Sequence, residues 1–515
     1  MFHGITDLKL MYSEYSPSIN LLAAGRKRKH CMEPLHILYL AFYGFALFIL
    51  IMFGIHKYVL LYARHKYRND PIEPLNDLPV WPQVTVQLPI YNEKYVIKRL
   101  LRAVARLDYP VEKLHIQVLD DSSDDTVERT RRLVARLQQR GVNIKHIRRP
   151  ERVGFKAGAL EYGMNRTDSN YIAIFDADFV PDSDFLKRTI PHLETRPEIG
   201  MLQARWGHIN RNYSLLTRLQ AIFLDAHFLI EHYARNRSGK FFNFNGTAGI
   251  WRKQAIVDAG GWQHDTLTED LDLSYRAQLK GWKFLYLPDV VVPAELPVEM
   301  NAYKSQQHRW AKGSVQTGLK LIPTIWKADL PWLVKMEAII HLGSNFSYLL
   351  MTVPALLLIP VLNLQVQFDV RMAIIPYLLT FFAATFSVVV YYGYSIKKST
   401  GRFFPYVMYI PALMGMGIGL SINNGKAVLE ALFGQQSDFK RTPKFNIKKQ
   451  GDTWKQKKYS VAKNKSHYVE ILFAIYFTFG LAYFYLEELY LSIPFFLLFL
   501  FGFLFIAISS LVVRR

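Results

Sequence analysis

The chain has 515 residues, more than one ordinary domain needs, and half of them are hydrophobic. Its single cysteine, Cys31, excludes an intrachain disulfide and any cysteine-based zinc cluster. The formal net charge is +21, and the basic residues crowd beside apolar runs. That placement suits the cytoplasmic face of a bilayer and argues against a nucleic-acid partner.

A basic segment, 1–33, comes first, with no small-residue cleavage site after a short apolar core, so no cleaved signal peptide is expected. The run 34–62 is long enough to cross a membrane, for which about 20 apolar residues suffice. "GRKRKH" before it and "ARHKYR" after it leave its orientation open. Residues 63–330 then read as an inserted α/β domain on the cytoplasmic side. "VTVQLPI" leads to a helical stretch from Lys94 to Leu107, and "HIQVLDD" to "DDTVERTRRLVARLQQRG". "NIKHIRR" leads to "FKAGALEYGMNR", and "YIAIFDAD" follows. Strand and helix alternation predicts a parallel sheet covered by helices, with ligands beyond the carboxyl ends of its strands. Neither GxGxxG nor GxxxxGK[ST] occurs, so neither a dinucleotide fold nor a P-loop is expected.

Four carboxylates, Asp120, Asp121, Asp176 and Asp178, fall at those strand ends. Each pair alone could be a turn acid or a helix N-cap. At two strand ends of one sheet they call for a counter-charge, which a hard cation shared with diphosphate oxygens would supply. Further on, "TLTEDLDLSYRAQLKG" reads as a helix capped by Thr268 with an acid-rich first turn, Glu269, Asp270 and Asp272. "QQHRW" is an amphipathic segment suited to a membrane interface. His308 reads as structural. The sequon at Asn245 is expected to be an unmodified loop near an acceptor.

The last third reads as membrane. Transmembrane helices are expected near 338–364, 372–396, 467–487 and 491–513, within a membrane region 331–515. A basic loop, 436–466, and the Lys397–Arg402 turn should both be cytoplasmic. Residues 403–434 between them are therefore expected to lie in the interface or re-enter it, a tight hairpin being the alternative.

From Val84 to Gly313 the motifs "QVLDDSSDDT", "GFKAGALEYGM", "YIAIFDADFVPD", "LQARW", "FNFNGTAGIWR", "TEDLDLSYRAQLKGWKFLYL", "ELP" and "QQHRWAKG" resemble, in order, the membrane-embedded family-2 glycosyltransferases. The resemblance is nearest to the plant cellulose-synthase-like A and C proteins, which make mannan and glucan backbones, and extends to bacterial cellulose synthase. It implies a nucleotide-diphospho-sugar transferase (GT-A-like) α/β domain inserted between transmembrane helices. It implies that Asp120 and Asp121 hold the nucleoside, that Lys156 reaches the diphosphate, and that Asp176 and Asp178 bind Mg²⁺ or Mn²⁺. Asp270 would be the general base. Arg309 would steady the departing diphosphate. Glu269, Asn245 and Gln306 would face the acceptor, and Trp310 would stack on its sugar. Thr442, Pro443, Lys444 and Phe445 are similar in kind to a loop that covers the nucleotide in cellulose synthases. A basic surface loop attracted to anionic lipid explains them equally well.

The expected activity is an inverting, metal-dependent, processive transfer that builds a β-linked, β-1,4 in the first instance, glucan or mannan and passes it through a channel among the spans. UDP-glucose and GDP-mannose are the candidate donors, and a growing polysaccharide and membrane lipids the other partners. A membrane transferase adding one sugar to a lipid is the alternative. A non-catalytic transporter or scaffold is the third reading. The protein is expected in a cell inner membrane, or a Golgi membrane in a eukaryote. No PilZ-like domain follows the last span, so control by a cyclic dinucleotide through one is not expected.

Overall fold

The computed structural model describes residues 34–511 except 71, 74, 76, 77, 368–370, 437–440, 455 and 458–465. The basic segment 1–33 and parts of the loop 436–466 lie outside the described residues. A seven-stranded sheet forms the centre of the region between the first and later membrane helices. Its strands are β1 (Val84–Ile90), β2 (Leu114–Asp120), β3 (Ile144–Ile147), β4 (Tyr171–Ile174), β5 (Ile199–His208), β6 (Gly249–Arg252) and β7 (Lys283–Ala294). They lie in the order β3-β2-β1-β4-β6-β5-β7. β1 pairs in parallel with β2 and β4, and β5 in parallel with β7. Helices cover both faces, so β1 and β4 are buried almost throughout.

One strand departs from the expected parallel arrangement. β6 runs antiparallel to β4 and β5, with Gly249 opposite both Ile174 and Gln203. The chain returns to the sheet from the helices 215–237 at the carboxyl edge, and it enters β6 there without the crossover a parallel strand requires. The loop preceding β6, Asn243–Ala248, therefore lies beside the residues that follow β4. Asp176, Asp178 and Asn245 are neighbours for this reason.

The helix Met300–Lys327 carries Gln306, Arg309 and Trp310. Their spacing of three and four places them on one face. The carboxylate of Glu299 caps the helix, accepting from the N–H groups of Asn301 and Ala302 at 2.8 Å each. Lys304, fully buried, reaches Glu470 at 2.5 Å across to the helix His467–Leu486. Truncating one member strands a buried charge, which typically costs about 3–5 kcal/mol. Glu470→Ala is therefore expected to lower the thermal midpoint of the purified protein sharply. The paired change to Lys304→Met and Glu470→Leu should recover most of the loss.

Among the described residues five helices are long and apolar enough to cross a membrane: Pro34–Lys66, Phe346–Asn363, Tyr406–Leu432, His467–Leu486 and Tyr490–Leu511. A further long helix spans Arg371–Thr400. The stretch from 338 is interrupted: one helix ends at Gly343 and the next starts at Phe346. Within 403–434 the helix Tyr409–Leu432 is continuous. Gly415 and Gly419 bring it into backbone contact with Gly502, where an added methyl group would meet main-chain atoms.

Candidate active site

The carboxyl edge of the sheet opens into a cleft of about 180 Å³. Lys156, Asp176, Asp178, Asn245, Glu269, Asp270, Gln306, Arg309, Trp310 and Asp121 all line it. Asp120 does not. Its buried carboxylate accepts from His146 at 2.8 Å and from the Ser122 N–H at 2.9 Å, and these partners hold it below the ordinary carboxylate range despite burial. It braces the strand end, while Asp121 faces the cleft. Asp121 receives two bonds from Arg149, at 2.8 and 2.6 Å.

Lysines reach both acids that follow β4. Lys156 donates to Asp176 at 2.6 Å and to the carbonyl of Gly246 at 2.8 Å. Burial works against its charge, but Asp176, Glu269 and Asp270 outweigh burial and hold the ammonium protonated above its usual range. Lys444 donates to Asp178 at 2.6 Å. The N–H of Asp176 is donated to Thr247 Oγ1 at 2.9 Å, which ties the acid to the loop before β6.

Asp270 stands at the start of the helix Glu269–Leu279. Burial and the neighbouring Glu269 push its carboxyl up to about 7, against the pull of Lys156. Gly246, at φ +77°, lies against it: a Cβ there would sit 2.8 Å from Asp270 Oδ2 and 3.3 Å from Lys156 Nζ. Both the positive φ and the space require glycine. Gly246→Ala is accordingly expected to abolish turnover, with a thermal midpoint lowered by the strain as the check.

The expected side-chain cap at Thr268 is not formed. Thr268 packs instead under the Met300–Lys327 helix, where a Cβ on Gly313 would fall 2.6–2.8 Å from its atoms. Gly313 is thus the contact that lets Arg309 and Trp310 approach Asp270. A mid-helix glycine costs about 1 kcal/mol relative to alanine. Gly313→Ala should lower both turnover and the thermal midpoint, because overpacking against Thr268, typically about 1–3 kcal/mol, outweighs the gain in helix propensity; steady-state kinetics beside a melting curve would check it.

Asp176 and Asp178 supply hard oxygens. Among the described residues no group of three or more His, Cys, Asp or Glu side chains surrounds one point. One or two carboxylates suffice for a cation whose other ligands are waters and substrate phosphates, so the donor set fits an ion brought with a diphosphate and not a protein-built cage.

Residues 82–313 match the family described as "Glycosyltransferase like family 2". The matched stretch is a little under half of the chain. The chain is 41% identical over 313 residues to glucomannan 4-beta-mannosyltransferase 1 of Oryza sativa subsp. japonica, covering 57% of this chain and 60% of that one. It is 45% identical over 266 residues to glucomannan 4-beta-mannosyltransferase 2 of Arabidopsis thaliana, covering 50% of each. The matched region thus spans about half to three fifths of these relatives' own length. Its fold resembles a mannosyltransferase, PcManGT, from Pyrobaculum calidifontis, solved in complex with GDP-Man and Mn²⁺. The TM-score is 0.50 at 19% identity, over 78% of this chain and 100% of that one.

The cleft is roofed by residues from beyond the helix Tyr409–Leu432. Arg441, Thr442 and Lys444 line the cleft. Arg441 bonds the carbonyl of Tyr91 at 2.7 Å and the carboxylate of Glu93 at 2.8 Å. Burial pushes Glu93 up to about 8 even so. Lys444 also bonds the carbonyl of Glu295, and the Phe445 N–H is donated to the Glu295 carboxylate, both at 2.8 Å. Phe445 and Ile447 are buried with Val298. Glu93, Glu295 and Arg441 were not singled out from sequence. Glu93 follows the end of β1, and Glu295 lies in "ELP", so position at a strand end was the available signal.

Proposed function

We propose that this chain is an inverting β-mannosyltransferase, transferring mannosyl units from GDP-mannose to a β-1,4-linked mannan or glucomannan acceptor, processively and with passage of the product among the membrane helices. The observation that carries this reading is Asp270. An enclosed carboxyl brought near neutrality stands in one cleft with the Lys156–Asp176 pair, Arg309 and Trp310. The donor named for the P. calidifontis protein and the product in the names of the plant relatives favour mannose over glucose.

The chemistry follows from the groups present. The Asp270 carboxylate takes the proton of the acceptor hydroxyl. The hydroxyl oxygen forms the new bond to the sugar C1 from the face opposite the diphosphate, as the bond from C1 to the phosphate oxygen breaks. One displacement inverts the anomeric configuration. Arg309 and Lys156 place positive charge where the leaving diphosphate develops negative charge. Mg²⁺ or Mn²⁺ held by Asp176 and Asp178 would add Lewis-acid stabilisation of that same diphosphate. Trp310 offers an aromatic face to the acceptor ring. For Asp178 to face such an ion, Lys444 must exchange its carboxylate for the diphosphate, which gives the 441–449 segment the role of a cover sensing the nucleotide.

The test supplies purified protein with GDP-mannose, UDP-glucose and UDP-N-acetylglucosamine in turn, with Mg²⁺ or Mn²⁺ and then EDTA. Released nucleotide and product size are measured. Release from GDP-mannose alone, lost with EDTA, with a mannanase-digestible polymer, is the expected result. A lipid-sized product would establish single addition to a lipid instead. Deletion of 442–449 should raise the KM for the nucleotide sugar, and unchanged turnover would remove the cover role.

A further inference from the structure

The first half of β5 is apolar except for one amide, Gln203. Gln203 is fully buried and does not line the cleft. A buried amide is costly unless its groups are paired, and a methionine would fill the same space without that demand. Every one of its groups is paired. Apart from the carbonyl of the adjacent Ala204, all the partners belong to the backbone of one loop, 245–248. Oε1 accepts from the Asn245 N–H at 2.9 Å. Nε2 donates to the carbonyls of Thr247 and Ala248 at 3.1 Å each, and to that of Ala204 at 2.8 Å. Exchanging the amide oxygen and nitrogen would set an oxygen against three carbonyls, so the orientation is fixed.

The loop needs that grip. Regular pairing of β5 with β6 covers only three residues of each strand and ends where Gln203 faces Gly249. Two of the four loop residues are left-handed, Gly246 at φ +77° and Ala248 at φ +55°. Ala248 carries a Cβ, which makes that conformation unfavourable. Such residues persist where their surroundings over-determine them, and they cluster at active sites. The Ala248 N–H is donated to the carbonyl of Ile174 at 2.8 Å, and its carbonyl accepts from the Ala204 N–H at 3.0 Å. Gln203 holds the backbone on both sides of Gly246, before it at Asn245 and after it at Thr247. The residues between those two points touch the chemistry. The Gly246 carbonyl accepts from Lys156, and its Cα lies against the Asp270 carboxyl. The Thr247 hydroxyl accepts from the Asp176 N–H.

We propose that Gln203 is a positioning residue for the transfer, fixing the Gly246 peptide so that its carbonyl holds Lys156 and its Cα keeps Asp270 enclosed. The inference rests on the transferase reading above, with Asp270 as the base. Gln203 acts through Gly246 and touches neither donor nor acceptor. Its amide is a clamp that the strand ladder, ending at Gly249, does not supply.

The experiment uses the full chain in detergent and follows GDP release from GDP-mannose against pH, beside a melting curve. Gln203→Met keeps the volume and removes all four bonds. Its kcat should fall about 10- to 100-fold, the scale of a small misplacement remote from the reacting atoms. The acid limb of kcat/KM should move to lower pH by about one unit. Burial is the largest cause of the raised Asp270 value, and a loosened Gly246 lets water reach the carboxyl. Glu269 is untouched, and Lys156 stays tied to Asp176, so their effects on Asp270 persist. Leu202→Ala is the control: Leu202 is buried on the opposite face of β5, and its loss is a packing defect alone. That variant should melt lower and keep the wild-type acid limb. If Gln203→Met does not fold, the same measurement is made on Gln203→Met with Ala248→Gly, which relieves the left-handed strain. A lowered kcat with the acid limb unmoved, as in Leu202→Ala, would assign Gln203 to packing and overturn the proposal, and so would wild-type kinetics or failure of both variants to fold. No nucleotide release by the wild type from any nucleotide sugar would overturn the transferase reading and the role of Gln203 with it.

Discussion

Replacing Asp270 by Asn is expected to lower turnover by about 10²- to 10⁴-fold, the range that a positioned general base supplies. The amide keeps the size and the bond from the Leu271 N–H, formed at 2.9 Å to Asp270 Oδ1, but it cannot take a proton. Binding of the nucleotide sugar should persist, which separates a catalytic role from a collapsed site. A scaffold with a relic domain would show unchanged cellular function instead. The same substitution has a stability signature. A carboxyl raised to about 7 in the folded chain is ionised at lower pH in the unfolded chain, near the ordinary value of about 3.9. The folded state therefore loses stability as pH rises between those two values and keeps that penalty above them. Asp270→Asn removes the penalty, so the variant should melt no lower than the wild type at pH 8 while being nearly inactive.

The pH profile follows from the same group. Only the ionised carboxylate is a base, so kcat/KM should rise about tenfold per pH unit on the acid side and level off above the apparent value near 7. Glu269 contributes to that value through its charge, so the limb belongs to the Glu269–Asp270 pair. Glu269→Gln should shift the acid limb to lower pH, and a profile that does not move would deny the coupling.

What could be read from the sequence was local. β2 and β4 are largely apolar runs ended by acids, and burial on both faces of a parallel strand writes the apolar run directly. The placement of Asp121, Asp176 and Asp178 on one edge followed from strand direction alone. What could not be read depended on pairings formed across the fold. Lys444 meets Asp178 across 266 positions, and a basic loop looks the same whether it covers a nucleotide or a lipid surface. Asp120 and Asp121 are adjacent and chemically identical. Only the position of His146 on the neighbouring strand decides that Asp120 turns inward. Thr268 was legible as a cap, but the close approach of Gly313 claims its side chain. The antiparallel entry of β6 was hidden because four residues carry no direction.

Arg309→Ala should lower kcat by about 10²–10³-fold, the cost of losing one preorganised group facing developing charge. Arg309 lies beside Trp310 on the Met300–Lys327 helix, and burial works against its charge while Glu269, Asp176 and Asp270 support it. Without a donor, its positive charge belongs to that acidic set. With a diphosphate present, the leaving oxygens compete for it, and they compete most strongly as the bond to C1 breaks. The loss should therefore fall on kcat more than on the KM for the nucleotide sugar. Arg309→Lys should recover only part of it, since an ammonium is a point charge and cannot span two phosphate oxygens as a guanidinium does. Equal losses in kcat and kcat/KM for Arg309→Ala, beside an unchanged donor KM, would place the arginine on the leaving group. A raised KM with unchanged kcat would make it a ground-state contact and return the leaving-group charge to Lys156 and the cation.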